Sequence, residues 1–367
     1  MTVRVAVVGL GWAARSIWLP RLASHAAFEV AAVVDPARTA RAWAAEHHPG
    51  VPVVATVDEL DRGRVDLAVV AVPNHLHRVV ACRLLTSGTP VFVEKPVCLS
   101  PVEAGELAAA ENAGGAVLLA GSAARYRGDV RALYEVVERR VGRIRQVTLA
   151  WVRARGVPDA GGWFTRQHLS GGGALVDLGW HLLDTVSPLL GDAPFDQVAG
   201  VVSSDFLSDE AWGAAGRSDP DAPPARAGDV EDTARGFLVT RDGVAVSLRA
   251  SWASHEALDS TLIEVEGSAG TATLRCTFGF SPNRRHGSTL TCVSGGETVD
   301  VPMPVPAVGE EYVHQLDALP GLLADPAVKG RAVAEAHRII EAIQRLYASA
   351  RPYRTAHQQV RVAPAVR

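Results

Sequence analysis

Lysine, cysteine, net charge and long apolar runs are all scarce in this chain of 367 residues, and each shortage excludes a class of protein. The 4 cysteines are widely spaced, with no Cys-x-x-Cys pair, so we expect reduced thiols and neither a disulfide framework nor a metal site. A net charge of -4 gives no indication of the basic surface that binds nucleic acid. No apolar stretch approaches the ~20 residues of a membrane span, and the first residues lack a secretory signal pattern. The sequence therefore predicts a folded cytoplasmic protein that binds neither nucleic acid nor membrane.

Lysine is the scarcest charged residue, since Lys95 and Lys329 are the only two among 36 lysines and arginines. The two residue types differ in chemistry, because a lysine ammonium is compact and can lose its proton when buried, whereas a guanidinium stays charged. Each lysine of this arginine-rich chain is therefore a candidate for a functional site that needs a compact ammonium group able to lose its proton. Chance is the alternative explanation, and the position of each lysine has to decide between the two.

The N-terminal third of the chain alternates short apolar strands with helical patterns. This alternation is typical of βαβ units and of a parallel sheet that is buried on both faces. The predicted strands are residues 3–8, 30–34, 53–54, 67–72, 91–93 and 117–119, and the predicted helices are residues 12–24, 36–46, 75–87 and 101–113. The fold class is therefore α/β over residues 1–122, a doubly wound dinucleotide-binding domain of the Rossmann type.

From residue 123 onward the pattern changes, because strand-like segments follow one another with few intervening helices. The predicted strands are residues 144–153, 198–203, 232–240, 244–251, 261–266, 271–276, 289–293 and 297–301, and the predicted helices are 130–140, 174–190, 311–323 and 331–347. This order indicates an α+β domain over residues 123–367, with a large, mostly antiparallel open sheet and helices on one face. Residues 204–228, rich in Asp, Ala, Pro and Gly, are predicted to form an inserted loop.

A glycine-rich loop joins the first predicted strand to the first predicted helix. It reads Gly9-Leu10-Gly11-Trp12-Ala13-Ala14, and Asp35 ends the second strand. This is the context of a dinucleotide fingerprint, in which the first glycine permits the turn, the second admits a pyrophosphate and the acid accepts hydrogen bonds from ribose hydroxyls. The sequence therefore predicts a dinucleotide cofactor bound by Gly9, Gly11, Trp12, Ala13 and Asp35. A tight turn that binds nothing is the alternative.

Asp35 also bears on the choice between NAD and NADP. Its carboxylate would repel a 2′-phosphate, which favours NAD, whereas Arg38, three residues further along, could receive that phosphate. We expect NAD as the cofactor, with Arg38 near the adenosine ribose.

Two more groups of polar residues follow the fourth and fifth strands, at the edge where a doubly wound sheet binds its ligand. Pro73, Asn74 and His77 follow the fourth strand and could line the cofactor, and a helix cap with solvated histidines is the alternative. Glu94 and Lys95 end the fifth strand and precede a proline, which restricts the backbone of Lys95. A lysine directly after a buried strand is an unusual place for a solvated charge. We therefore expect Lys95 to have a catalytic role, and both residues to contact the cofactor.

Three glycines precede a helix that carries titratable side chains in the second domain. The segment reads Gly171-Gly172-Gly173-Ala174-Leu175-Val176-Asp177-Leu178-Gly179-Trp180-His181, and Asp184 follows. Asp177, His181 and Asp184 share one helical face, and the glycines allow another group to approach the start of the helix. His181 can act as base when a hydroxyl is oxidised and as acid when a ketone is reduced, while Asp177 orients the substrate or the imidazole. A zinc site is a poor alternative, because the segment offers two ligands with no third nearby. The remaining alternative is a buried helix whose histidine is a hydrogen-bonded core residue.

Together these motifs resemble the glucose–fructose oxidoreductase / inositol dehydrogenase / MocA family over nearly the whole chain. The resemblance is carried by Gly9-Leu10-Gly11, Glu94-Lys95-Pro96, the glycine run through His181, Val230-Glu231-Asp232-Thr233 and Gly267-Ser268-Ala269-Gly270-Thr271. It implies a nicotinamide cofactor and the oxidation or reduction of a sugar or cyclitol hydroxyl. By this analogy Lys95 hydrogen-bonds the reacting oxygen, His181 exchanges its proton and Asp177 holds the substrate.

The candidate substrate-binding residues are Lys95, Arg125, Trp163, Asp177 and His181. Trp163 and Trp180 flank the glycine run, where an aromatic ring could stack on a sugar, although both could equally be core residues. The chain departs from the family pattern after Trp163, because Phe164 stands where an arginine is common and Arg166 lies two residues further. That arginine contact is therefore not transferred to this chain.

The sequence thus predicts an NAD-dependent dehydrogenase or reductase that moves a hydride between nicotinamide and a sugar, amino-sugar or cyclitol. The alternatives are a nucleotide-sugar ketoreductase, a glycoside hydrolase of the same family that uses bound NAD transiently, and a catalytically silent cofactor or sugar sensor. Lys95, Asp177 and His181 occur together, which argues against the sensor. Strands such as residues 244–248 carry alternating apolar residues and leave one sheet face to be covered, so we expect a homodimer or homotetramer.

Overall fold

The computed structural model describes residues 2–158, 162–214, 228–303 and 307–354, which form two compact units. The first unit consists of Met1–Arg131, His168–Gly171 and Pro306–Ile340, and the second of Ala132–Gln167, Gly172–Val305 and Glu341–Arg367. The predicted division into two continuous domains after residue 122 therefore differs from the observed one. The reason is packing over a long sequence distance, since Leu316 and Leu319 are buried in the hydrophobic core of the first unit.

The first unit is built on six parallel strands in the order β3-β2-β1-β4-β5-β6. They are β1 (Val3–Val8), β2 (Phe28–Val34), β3 (Val53–Val54), β4 (Leu67–Val70), β5 (Val91–Val93) and β6 (Leu118–Ala120). Every residue of β4 and β5 is buried, as expected for a parallel sheet that is covered on both faces. The predicted doubly wound α/β fold is confirmed. The strand order reverses between β1 and β4, so the loops after these strands occupy the position where such sheets bind ligands.

Nine α-helices occur in the part of the chain that the structure describes. They are α1 (Leu19–Ser24), α2 (Arg38–His47), α3 (His77–Thr86), α4 (Pro101–Gly114), α5 (Gly128–Val136), α6 (Gln167–Ser170), α7 (Trp180–Leu190), α8 (Glu310–Ala324) and α9 (Arg331–Arg354). Ser100 caps α4 by accepting the N–H of Glu103, and Pro101 is its first residue, as the sequence pattern predicts. Two π-helical turns, Ala14–Trp18 and Leu175–Gly179, precede α1 and α7.

The second unit is built on eight strands in the order β14-β13-β12-β11-β7-β10-β9-β8. They are β7 (Ile144–Val152), β8 (Phe195–Ser203), β9 (Thr233–Thr240), β10 (Ala245–Ser251), β11 (Ser260–Gly267), β12 (Thr271–Cys276), β13 (Thr289–Ser294) and β14 (Glu297–Asp300). All neighbouring pairs are antiparallel except β7 and β10, so the predicted, mostly antiparallel sheet is confirmed. Burial alternates along the central strands, with Leu248 and Ala250 in the core, and Leu346 of α9 packs on Gly200 and Gly236.

The predicted and observed elements differ mainly at their ends. The second strand begins at Phe28 because the strand register continues to the pair formed by Val3 and Phe28. Both helices that follow glycine-rich loops begin with a π-helical turn, which no pattern in the sequence indicated. The described part of the predicted insertion contains a short 3-10 helix, Glu210–Trp212, and residues 215–227 lie outside the described residues. Within the described segments, no helix combines the length and the apolar character needed to cross a membrane.

Candidate active site

The loop after β1 leaves room for a ligand at one glycine and fixes the chain at another. Gly9 has a φ of 89°, and a Cβ there would lie 2.8 Å from the carbonyl oxygen of Ala71, so both conformation and space require glycine. A Cβ at Gly11 would meet no atom within 4 Å, which leaves the peptide open to a close approach. Trp12, the next residue, is 47% exposed. These properties fit the pyrophosphate of a dinucleotide at this loop.

Asp35 lies at the end of β2, where its carboxylate joins two loops. Its Oδ2 accepts the N–H of Leu10 at 2.8 Å, and its Oδ1 accepts the N–H of Ala37 at 2.8 Å. The negative charge is therefore fixed beside the glycine loop, in the position that binds ribose hydroxyls in dinucleotide-binding folds. Arg38 is exposed at the start of α2.

Arg41 belongs to the same corner and was not among the predicted residues. Its Nη1 donates to the carbonyl oxygen of Asp35 at 2.8 Å and to that of Pro36 at 2.7 Å, so its guanidinium lies beside the turn that carries Asp35. The spacing of Arg41 three residues after Arg38, on one face of α2, was the signal that could have indicated it.

Asn74 and His77 support the crevice edge with buried side chains. Asn74 is 5% exposed, and its Nδ2 donates to the carbonyl oxygen of Ser170 at 2.9 Å. His77 is 1% exposed, with Nδ1 lying 2.7 Å from the oxygen of Pro96 and Nε2 lying 2.8 Å from that of Val72. Burial lowers the pKa of His77 below its usual value. Both side chains bind backbone carbonyls of the surrounding loops, and their predicted contacts with the cofactor stay a prediction.

Glu94 and Lys95 follow β5, and Pro73 follows β4 on the neighbouring strand. The Glu94 carboxylate accepts the indole N–H of Trp18 at 2.7 Å and the backbone N–H of Lys95 at 3.1 Å. Burial raises the pKa of Glu94, while the charge of Lys95 opposes that rise. The same charge contributes to lowering the pKa of His77, after the larger effect of burial. The Lys95–Pro96 peptide bond is cis.

Arg125 precedes α5 in the first unit, where its Nη1 lies 2.7 Å from the carboxylate Oε2 of Glu335 on α9. The side chain is largely buried, with 17% of its surface exposed. Its predicted contact with the substrate stays a prediction, and the ion pair shows what currently orients the guanidinium.

Asp177 and His181 are the accessible residues of an otherwise buried helical segment in the second unit. Every other residue from Gly172 to Val186 is buried, so these two side chains share the exposed face. Asp184, which we predicted on the same face, is 4% exposed and belongs to the interior. Asp177 lies in a π-helical turn, a local distortion that is frequent at functional sites.

Aromatic side chains surround this pair. The indole Nε1 of Trp252 donates to Asp177 Oδ2 at 2.9 Å, and the Trp151 ring lies 5.5 Å from the His181 ring, centroid to centroid. Trp163 packs on Phe164 at 4.7 Å, and Phe164 lies 6.4 Å from Trp252.

The aromatic residues were predicted only in part. Trp180 is 3% exposed and is therefore a core residue, while Trp163 is only partly buried. Trp151 and Trp252 were missed, although both stand at the carboxyl ends of the parallel strands β7 and β10. Their common position at one edge of the sheet could have indicated them, but that position is known only once the pairing of β7 with β10 is known.

The fold and these side chains define an oxidoreductase that binds a dinucleotide. Two models of one family match the chain: the NAD-binding Rossmann-fold model covers residues 3–122, and the C-terminal-domain model covers residues 130–273. The chain therefore belongs to the GFO/IDH/MocA family of oxidoreductases.

Individual relatives agree with this assignment. The chain is 59% identical over 350 residues to a protein of Amycolatopsis mediterranei (strain S699) provisionally named a UDP-kanosamine synthase oxidoreductase subunit, covering 95% of this chain and 96% of the relative. It is 30% identical over 259 residues to D-glucoside 3-dehydrogenase of Escherichia coli (strain K12), covering 68% and 70%. The crystal structure of GenD2 from gentamicin A biosynthesis, in complex with NAD, is similar with a TM-score of 0.74 and 26% identity, covering 95% of this chain and 94% of that one.

Proposed function

We propose that this enzyme is an NAD-dependent sugar oxidoreductase whose substrate is a hexose linked to a nucleoside diphosphate. The observation that carries the proposal is the placement of Asp177 and His181, the two accessible residues of a buried segment, against Trp252 and Trp151. A carboxylate suits the recognition of sugar hydroxyls, and an imidazole suits the exchange of one hydroxyl proton near neutral pH. Trp252 and Trp151 are 0% and 7% exposed, so these rings hold the pair in place from the protein side and leave its accessible side to the substrate.

The proposed mechanism gives each residue of the chain one task. When bound, the nicotinamide cofactor supplies the two-electron acceptor or donor for the reaction. His181 takes the proton as the carbinol becomes a carbonyl, and returns it when the carbonyl is reduced. Lys95 donates a hydrogen bond to the same oxygen and stabilises the negative charge that develops there. Asp177, oriented by Trp252, accepts hydrogen bonds from the substrate hydroxyls.

NAD is proposed over NADP because of the charge at the end of β2. Both carboxylate oxygens of Asp35 are held by backbone N–H groups, from Leu10 and Ala37, so the negative charge cannot easily turn away from a 2′-phosphate. The similar GenD2 structure contains NAD, which supports the same choice.

The substrate class is proposed from the names of the relatives. The relative with 59% identity is named for UDP-kanosamine, an amino sugar on a nucleotide, and the glucoside dehydrogenase is named for carbon 3. An amino group is readily introduced at a ketone, and oxidation of a hydroxyl provides that ketone. We therefore place the reaction at the carbon 3 hydroxyl of a UDP-hexose. A glycoside without a nucleotide is the second candidate, favoured by the relationship to the glucoside dehydrogenase.

Turnover of matched substrates tests this proposal. Purified enzyme is given NAD or NADP together with UDP-glucose, methyl glucoside or myo-inositol, and formation of the reduced cofactor is followed by absorbance. We expect UDP-glucose to give a kcat/KM about 100-fold above that of either other substrate. Equal or faster turnover of methyl glucoside would replace the nucleotide proposal by the second candidate. Binding of NAD without turnover of any substrate would contradict the enzymatic proposal and favour a sensor.

A further inference from the structure

Glu231, which the proposed mechanism does not use, lies against the glycine run that precedes Asp177. It is 3% exposed, and its carboxylate accepts the N–H of Gly173 at 3.1 Å, the N–H of Leu175 at 2.9 Å and the hydroxyl of Tyr347 at 2.7 Å. All three neighbours donate, so they match a carboxylate ion, which only accepts. Burial raises the pKa of Glu231, and the hydrogen bonds from Leu175 and Tyr347 oppose that rise.

Two glycines of the run make this contact sterically feasible. A Cβ at Gly173 would lie 1.8 Å from the carbonyl oxygen of Glu231, and a Cβ at Gly172 would lie 2.1 Å from the hydroxyl oxygen of Tyr347. The sequence pattern indicated that some group approaches the start of this helix. In the structure that group is the backbone carbonyl of Glu231 at Gly173 and the side chain of Tyr347 at Gly172, so the glycines, Glu231 and Tyr347 form one packing unit.

Two sets of hydrogen bonds connect Glu231 and its neighbour in the chain to Asp177. Gly173, whose N–H is held by Glu231, accepts the backbone N–H of Asp177 through its carbonyl oxygen at 2.9 Å. The next residue, Asp232, accepts the backbone N–H of Trp252 at 2.8 Å, and the Trp252 indole donates to Asp177 Oδ2 at 2.9 Å. Two consecutive residues therefore restrain both the backbone and the carboxylate of Asp177.

We propose that Glu231 and Tyr347 are positioning residues, which hold Asp177 in the orientation that binds substrate without touching the substrate themselves. This inference rests on the proposed function, because it assumes that Asp177 acts on a bound sugar. The physical reason is the unsatisfied N–H groups at the start of a helical segment, which need an acceptor to keep the first turn in place. A misplacement of about 1 Å in such a turn is enough to cost ~100-fold in catalysis.

The test compares two tyrosine hydroxyls, one bonded to Glu231 beside the start of the helical segment and the other bonded to the backbone of the segment further along. Tyr347→Phe removes the donor to Glu231, whereas Tyr134→Phe removes a donor to the carbonyl oxygen of Thr185, beyond the proposed catalytic pair. For Tyr347→Phe we expect KM for the sugar to rise about 10-fold, with a smaller fall in kcat and unchanged NAD affinity. Tyr134→Phe should stay within about twofold of the wild type in both constants. Glu231→Gln should lower kcat/KM by about 100-fold.

A second measurement needs no turnover. Hydrogen exchange of the peptide spanning residues 172–182, followed by mass spectrometry with no substrate present, should be faster in Tyr347→Phe and unchanged in Tyr134→Phe. If the wild type oxidises none of the sugars, the proposed function fails, but this measurement still decides whether Glu231 and Tyr347 hold the turn. Wild-type exchange in Tyr347→Phe would overturn the proposal. A lowered melting temperature with KM and kcat both within about twofold of the wild type would also overturn it, because the role would then be structural only.

Discussion

The indole of Trp252 donates a hydrogen bond from Nε1 to Asp177 Oδ2 over 2.9 Å, and the donor residue is 0% exposed. Trp252 directly follows β10, and its backbone N–H is bound by the carbonyl oxygen of Asp232. The ring therefore cannot turn without disturbing the core. Asp177 is thus an acceptor whose orientation is set before a substrate arrives, which reduces the entropy lost on binding.

Replacing Trp252 by Phe should separate this orientation from simple packing. Trp252→Phe keeps an aromatic ring but loses the donor, so the Asp177 carboxylate is held less firmly in the orientation that binds substrate. We expect KM for the sugar to rise about 10-fold, with a smaller effect on kcat, because one hydrogen bond to a charged group is lost. Steady-state kinetics measures this. Trp180→Phe, at a residue that is 3% exposed on α7, is the control for lost indole packing. A KM equal to that of the wild type in Trp252→Phe would contradict the assigned role.

The sequence predicted residues whose partners are close along the chain. Asp177 and His181 were found from helical spacing, and the Rossmann elements from alternating valine-rich strands and helices. Trp252 could not be found in this way, because its partner Asp177 lies 75 residues away and the contact depends on how β10 and the helical segment pack. Two domains were predicted, but the return of the segment Pro306–Ile340 to the first unit was not, for the same reason, since Leu316 joins a core formed by residues far earlier in the chain.

Asp35 should control the choice of cofactor. We expect the wild type to bind NAD at least about 10-fold more tightly than NADP, because the fixed carboxylate repels a 2′-phosphate. Asp35→Ser should narrow that difference, and adding Arg38→Ala or Arg41→Ala should show which guanidinium receives the phosphate. Isothermal titration with the four nicotinamide dinucleotides measures this. Tighter binding of NADP by the wild type would show that Arg38 or Arg41 outweighs Asp35.

The buried His77 should make stability depend on pH. Burial lowers the pKa of His77, although the carbonyl oxygens of Pro96 and Val72 oppose this, so the folded chain binds the proton more weakly than the unfolded chain. The contribution of His77 to the free energy of unfolding is therefore complete above the unfolded pKa of about 6.5. It falls as the pH drops below that value, by at most ~1.4 kcal/mol per pH unit. Urea unfolding between pH 7.5 and pH 5.5 should show that the free energy of unfolding falls more steeply in the wild type than in His77→Gln. The exposed His47→Gln variant should follow the wild type, and parallel curves for wild type and His77→Gln would refute the assignment.

The open face of the eight-stranded sheet should support self-association, and we propose it as the surface of a homodimer or homotetramer. Val201 on β8 and Phe237 on β9 are 42% and 48% exposed, and the strand register pairs Phe237 with Ala199, two residues from Val201, so the two side chains lie on one face as an apolar patch for a partner to cover. Phe237→Asp should reduce the mass measured by light scattering at micromolar concentration to that of the monomer. Val102→Asp on α4, at a position that is 72% exposed, is the matched control. A monomeric wild type would rule out this surface as a stable interface.

The two lysines provide an internal control for the chemistry. Lys95→Ala should lower kcat by roughly 100- to 1000-fold and leave NAD affinity nearly unchanged, if its ammonium stabilises charge at the reacting oxygen. Lys329→Ala should change little, because Lys329 is exposed and follows a short 3-10 helix, Pro326–Val328. Both variants remove one positive charge, so any general effect of net charge appears equally in each. Steady-state kinetics and NAD titration on the same preparations provide the comparison.

His181 should be separable from Lys95 by its pH dependence. His181→Ala removes the group that exchanges the proton, so kcat should fall by roughly 100- to 10,000-fold and one limb of the pH–rate profile should disappear. Lys95→Ala should retain that limb, because it removes charge stabilisation and leaves the imidazole in place. Each variant has to keep the wild-type melting temperature and NAD affinity, which excludes unfolding as the cause. Near-normal turnover in both variants would mean that neither residue takes part in the reaction. The sensor interpretation would then have to replace the enzymatic one, because Asp177 alone offers no group able to exchange the hydroxyl proton near neutral pH.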